Sequence, residues 1–176
     1  MKAVVSLVFV SMSFSLTVAG EPAGVTFKTL SDRLEISVGG RGWASYVFRD
    51  RMTLRPYFTN VSAMTGEQVT RHHPPRPGVD SNDHATMHPG IHLAFGDLGQ
   101  VDFWRNRGHV LHERFVRKPA GGPGAGRFTV RNRYVEGERT LCVETCRHEV
   151  LVRPGGVLLI YDSRFESDKS DFYFGD

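Results

Sequence analysis

Long apolar runs are almost absent from this chain. The one that exists, Ala3 to Val18, stands at the N-terminus behind Lys2, and small residues follow at Val18-Ala19-Gly20. That order is the pattern of a secretory signal peptide, and the run is short for a membrane span. The expectation is therefore a signal over residues 1–20, cleavage before Glu21, and an exported protein with no membrane span. Lysine is also scarce: Lys2, Lys28, Lys118 and Lys169 stand against eighteen arginines, with 19 acids and a formal charge of +3. The arginines are scattered rather than gathered in a stripe, which argues against a nucleic-acid partner. Cysteine is limited to Cys142 and Cys146. Both fall in one strand-like run, where four residues span about 13 Å, too far for a disulfide without a bulge. Two buried thiols are expected instead. No G-x-S-x-G, phosphate-binding Gly loop, dinucleotide fingerprint or H-E-x-x-H is present, so serine hydrolase, nucleotide enzyme and zincin readings have no footing.

Amphipathic helix periodicity is missing too. Short β-branched and aromatic runs recur instead: Val25 to Phe27, Leu34 to Val38, Ala44 to Phe48, Arg55 to Phe58 and Val61 to Met64. Further runs are Ile91 to Phe95, Val110 to Val116, Arg127 to Val135, Leu141 to Val152, Val157 to Phe165 and Phe172 to Phe174. Gly-rich and Asp-containing turns separate them. This spacing predicts an all-β protein, an antiparallel β-sandwich or barrel, in one domain over residues 21–176. Pro119 to Gly126 reads as a flexible surface loop. The chain ends on the aromatic run Phe172 to Phe174 with hardly any polar tail, which suggests a domain that continues further.

What is plentiful is histidine in one place. Five of the eight histidines, His72, His73, His84, His88 and His92, lie between Arg71 and Phe103, with Asp83, Asp97 and Asp102. Histidine titrates nearest neutrality and is the commonest metal ligand. His84, His88 and His92 are spaced i, i+4, i+8, but Pro89-Gly90 forbids a continuous helix and interrupts a strand. Loop geometry must therefore decide between acid-base chemistry, a divalent metal held by His84, His88 and Asp83, and plain hydrogen bonding. The adjacent His72 and His73 point to opposite faces in extended chain, so at most one enters a shared site, and the prolines behind them suggest an exposed loop. Arg71 could clamp an anionic or hydroxyl-rich ligand, and Arg55-Pro56-Tyr57 could serve likewise. Asp102 and Trp104 pair an acid with an indole face, a combination suited to a sugar ring and equally to a core. His112 could face a concave sheet surface or sit half-buried on its strand.

These residues resemble a bacterial family carried under the label methane oxygenase PmoA. The matching segments are Arg55-Pro56-Tyr57-Phe58, Val69-Thr70-Arg71, Asp83-His84-Ala85-Thr86-Met87-His88-Pro89-Gly90, Leu93-Ala94-Phe95-Gly96-Asp97 and Asp102-Phe103-Trp104-Arg105-Asn106. The resemblance covers nearly all of the chain after residue 20, and by it the chain looks like an N-terminal portion. It implies an all-β fold of the galactose-mutarotase-like supersandwich type and a carbohydrate-related role. A membrane methane monooxygenase subunit is not implied, because such a subunit needs apolar spans that residues 21–176 lack. By position the resemblance carries over Arg71, Asp83, His84 and His88, and with them Asp102, Trp104 and His112. The expected protein binds or processes a carbohydrate or another small polar ligand. His84 or His88 would act as acid, oriented by Asp83, with Arg71, Asp102, Trp104 and His112 holding substrate. No cofactor is expected, with a divalent metal on His84, His88 and Asp83 as the alternative, and a non-catalytic envelope module as a third reading.

Overall fold

In the computed structural model, residues 22–168 and 171–175 are described; the signal-peptide expectation lies outside them. Eight strands follow in chain order: β1 Val25–Thr29, β2 Arg33–Val38, β3 Arg41–Val47, β4 Tyr57–Thr59, β5 His109–Gly122, β6 Ala125–Glu136, β7 Arg139–Arg153 and β8 Gly156–Glu166. They form two four-stranded antiparallel sheets, β1-β2-β3-β4 and β5-β6-β7-β8, each in sequential order. The all-β sandwich expected from the strand spacing is present.

Alternation explains why these segments pair as they do. In β2, Leu34, Ile36 and Val38 are buried while Arg33, Glu35 and Ser37 face the other way. In β7, Cys142, Glu144, Cys146, His148 and Val150 share the inward face. Leu34, Ile36, Tyr46 and Phe58 of the first sheet meet Phe128, Val130, Cys146 and Val150 of the second in one core. Each large apolar side chain buried there contributes about 1.5–3 kcal/mol. A second cluster, with Leu98, Val101, Phe103, Val110, Tyr134 and Leu141, seats the 95–108 segment against one end of the β5–β8 sheet. Cys142 and Cys146 are buried free thiols, as the spacing suggested, and burial pushes them up to about 11 and about 12.

Four segments differ from expectation. The Pro119 to Gly126 stretch is not a flexible loop: β5 and β6 run through it and turn at Pro123-Gly124. Its glycines serve close packing, since a Cβ on Gly121 would overlap the Val25 carbonyl and one on Gly126 would press on Val25 and Phe27. Val61 to Met64, Ile91 to Phe95 and Phe172 to Phe174 each make only an isolated bridge. For Ile91 the reason is local. It exchanges both backbone hydrogen bonds with Phe58, at 2.7 and 2.8 Å, but Pro89 has no donor and Gly90 sits at φ +146, so the pairing cannot run back along the chain.

Candidate functional site

The face of the first sheet turned away from the core carries two cross-strand rows. Glu35 lies opposite Ser45 and Ser45 opposite Thr59; Arg33 lies opposite Val47 and Val47 opposite Tyr57. These residues form the floor of an open cleft of about 1150 Å³. Its walls come from the 49–53 turn, from His73-Pro74-Pro75 and Ala85-Thr86 of the histidine-rich loop, and from His109 to His112 at the start of β5. A floor of paired strands with walls of loop is a common way to place chemistry on a rigid support.

One network in this cleft links a carboxylate, a phenol and an imidazole. Asp50 Oδ1 accepts from the Met52 and Thr53 amides at 2.7 and 3.1 Å, and Oδ2 accepts from the Tyr57 hydroxyl at 2.6 Å. Burial works against the Asp50 charge, yet these donors hold the carboxyl below its usual range. His73 Nε2 stands 3.8 Å from Asp50 Oδ2 and 3.4 Å from Thr53 Oγ1, and its ring meets Tyr57 edge-on at 5.2 Å. The His73 side chain is 11 % exposed. Burial depresses its pKa, partly offset by Asp50, so the ring is neutral at physiological pH. Among the described residues His73 Nδ1 and Thr59 Oγ1, on the cleft wall and floor, have no hydrogen-bond partner, whereas the His112 ring turns toward the buried Asn132 side chain opposite it on β6. Buried polar atoms without partners are uncommon and cost stability, so two along one cleft mark it as a place to bind something polar.

The residues singled out from the sequence fall into three groups. Arg71 and Asp102 are engaged within the protein. The Arg71 guanidinium donates to the His88, Ser81, Asp83 and His84 carbonyls at 2.8–3.2 Å, so it braces the loop. Asp102 caps the Arg105 amide and pairs with the Arg105 guanidinium at 2.8 Å. Arg55 does related work, donating to the Phe103, Trp104 and Met87 carbonyls and to Asn106 from a position only 4 % exposed. Burial lowers its pKa to about 10, which leaves it charged at neutral pH.

His84, His88 and Trp104 form the second group, at the surface. The His84 and His88 rings lie 5.8 Å apart, and His88 and His92 each meet Trp104 at 5.4 and 5.8 Å. His84 occupies positive φ and is exposed. Asp83, also exposed, accepts from the Ser81 hydroxyl, which with the neighbouring charges holds it below the usual carboxylate range; its Oδ2 is 3.6 Å from His84 Nδ1. Among the described residues no three His, Cys, Asp or Glu side chains are grouped to hold a metal ion. His84 and His88 are neighbours, and Asp83 stands beside His84. His112 makes the third case: it lines the cleft, yet its ring packs at a tilt against Phe48 and Phe115, at 4.7 and 4.9 Å. Burial lowers it to about 4.

Sequence reading placed His72 and His73 together on an exposed loop. The two do diverge, as extended chain requires. His72 Nδ1 pairs with Asp80 at 2.9 Å, while His73 enters the cleft. Glu35, Ser45 and Thr59 had no signal at all, because strand register alone brings them together, and Asp50 is placed by the turn that follows β3. Glu144 was missed for the same reason. It lies 3 % exposed inside the sandwich, accepting from Ser163, Asn132 and Tyr134 at 2.6, 2.9 and 3.5 Å, with burial raising its pKa.

With this geometry in place, comparison with known proteins defines the class. Residues 33–176 match the model of a family of unknown function, DUF6807, and the chain belongs to that family. No curated protein matches it. No solved structure matches it either. No described helix is long and apolar enough to cross a membrane.

Proposed function

We propose that this protein binds and processes a carbohydrate, or a similarly hydroxyl-rich small molecule, in the cleft over β2, β3 and β4. The observation that carries this reading is the Asp50–Tyr57–His73 network beside partnerless polar atoms in a cleft large enough for a sugar ring. Ligand sites combine concave shape with a few convergent polar groups and perturbed titrations. Here the neutral imidazole of His73 takes a proton from a sugar hydroxyl, and the fixed Asp50 carboxylate, 3.8 Å from Nε2, stabilises the imidazolium that forms. Mutarotase-like acid-base chemistry has these requirements, and a lyase-like reaction would turn the same base on a carbon-bound proton beside a carboxyl group. The supersandwich kinship suggested by the sequence resemblance belongs to the same reading.

His73 replaces His84 and His88 as the acid-base group because it is enclosed and oriented, whereas His84 is exposed. His84 and His88 keep a part in ligand contact. They lie on the turn whose Ala85 and Thr86 line the cleft, and with Trp104 they offer an aromatic rim on which a sugar face can pack. The N-terminal apolar segment supports export, where a soluble saccharide ligand would be met.

The test is a panel of mono- and oligosaccharides followed by NMR for anomeric exchange or elimination, with His73→Gln beside the wild type. Turnover is expected to fall at least about 100-fold in the variant while binding persists. A His73→Gln protein that turns over the same sugar at the wild-type rate would refute the assignment.

A further inference from the structure

The charges of the cleft are unevenly spent. Three carboxylates line it, and each is already satisfied. Asp32 and Glu35 both pair with Arg33, with Glu35 also accepting from Ser45 at 2.8 Å, and Asp50 is held by Tyr57 and two amides. Two guanidiniums on the same wall have no carboxylate partner among the described residues. Arg49 donates only to the Ser31 carbonyl at 3.0 Å and lies over the Phe48 ring at 5.5 Å. Arg51 has no hydrogen bond or ion pair among the described residues. Both flank Asp50 in sequence, yet the Asp50 carboxylate turns to Tyr57 and leaves them free. Next to Arg49 stands His112, whose ring shares Phe48 with it. Thr59, a residue only 4 % exposed, adds a buried partnerless hydroxyl on the floor.

Unspent guanidiniums beside spent carboxylates give the cleft a cationic bias. Arginine is suited to bidentate recognition of a planar oxyanion. From this distribution we infer that the ligand is an acidic sugar, a uronate whose carboxylate is received by Arg49 and Arg51 while its ring hydroxyls meet Thr59 and the Asp50–His73 side. The inference rests on the carbohydrate reading and sharpens it to a substrate class.

Calorimetric titration of the full chain with glucose and with glucuronate, at low and at elevated salt, separates the two claims. Glucuronate is expected to bind about tenfold more tightly than glucose, the size of one charge-assisted contact near the surface. The preference should shrink with salt, as exposed pairs are screened, and vanish in an Arg49→Gln/Arg51→Gln variant whose thermal unfolding matches the wild type. Glucose binding as tightly as glucuronate, with the double variant unchanged, would overturn the acidic-sugar inference and leave the carbohydrate reading standing. Failure of the wild type to bind either sugar would overturn both.

Discussion

His148 ties the interior of the sandwich to pH. It is 2 % exposed on β7, surrounded by the rings of Tyr46, Phe58, Phe128 and Tyr161 at 4.7–5.4 Å. Burial alone drives its pKa down to about 3 from an ordinary 6.5. The unfolded chain therefore takes up a proton below pH 6.5 that the folded chain refuses. By linkage, His148 contributes stability that is complete above about pH 6.5 and is lost as pH falls toward 3. Between pH 7 and pH 5 the loss works out at about 2 kcal/mol for this residue. Phenylalanine has nearly the same shape, keeps the ring contacts and cannot titrate. Urea unfolding at pH 7 and at pH 5 should show the wild type losing about 2 kcal/mol more than His148→Phe across that interval. Equal losses in the two proteins would refute the reasoning, whatever the absolute stability of the variant.

Two further outcomes are expected of the loop. Gly90→Ala places a Cβ against the Phe58 carbonyl at a φ that side chains rarely adopt, so the Ile91–Phe58 pairing should break at a cost of about 2–4 kcal/mol; hydrogen exchange at the Phe58 and Ile91 amides should speed up, and unchanged protection would contradict this. Arg71→Ala removes the donor shared by four carbonyls, so limited proteolysis should cut between residues 76 and 88 much faster than in the wild type. A variant that resists cleavage but loses ligand would instead make Arg71 a ligand clamp.

The strands were legible because their signal is local. Alternation in β2 and β7 and the turn residues between β5, β6, β7 and β8 follow from a period of two. The glycines at 121 and 126 misled, since a residue that permits flexibility equally permits β1 to approach closely, and only the packed structure distinguishes them. The histidine-rich loop was found as a region, but not residue by residue. Nothing in R-H-H-P-P says which imidazole turns to Asp80 and which to Asp50. Arg71 looked like a ligand clamp because its partners are backbone carbonyls, which leave no trace in the sequence. Glu35, Ser45 and Thr59 lie on three strands, and their meeting depends on register that a single sequence does not print.

Whether the cleft over β2, β3 and β4 is the site can be read from amide chemical shifts of the isotopically labelled protein titrated with the saccharide that binds best. Shifts are expected at residues 49–59, at His73, at Ala85 and Thr86 and at residues 109–112, and they should disappear in Asp50→Asn for the groups around His73. Shifts confined to the surface around Arg164 and Glu166 on β8, or no shifts with a saccharide that calorimetry shows to bind, would contradict it.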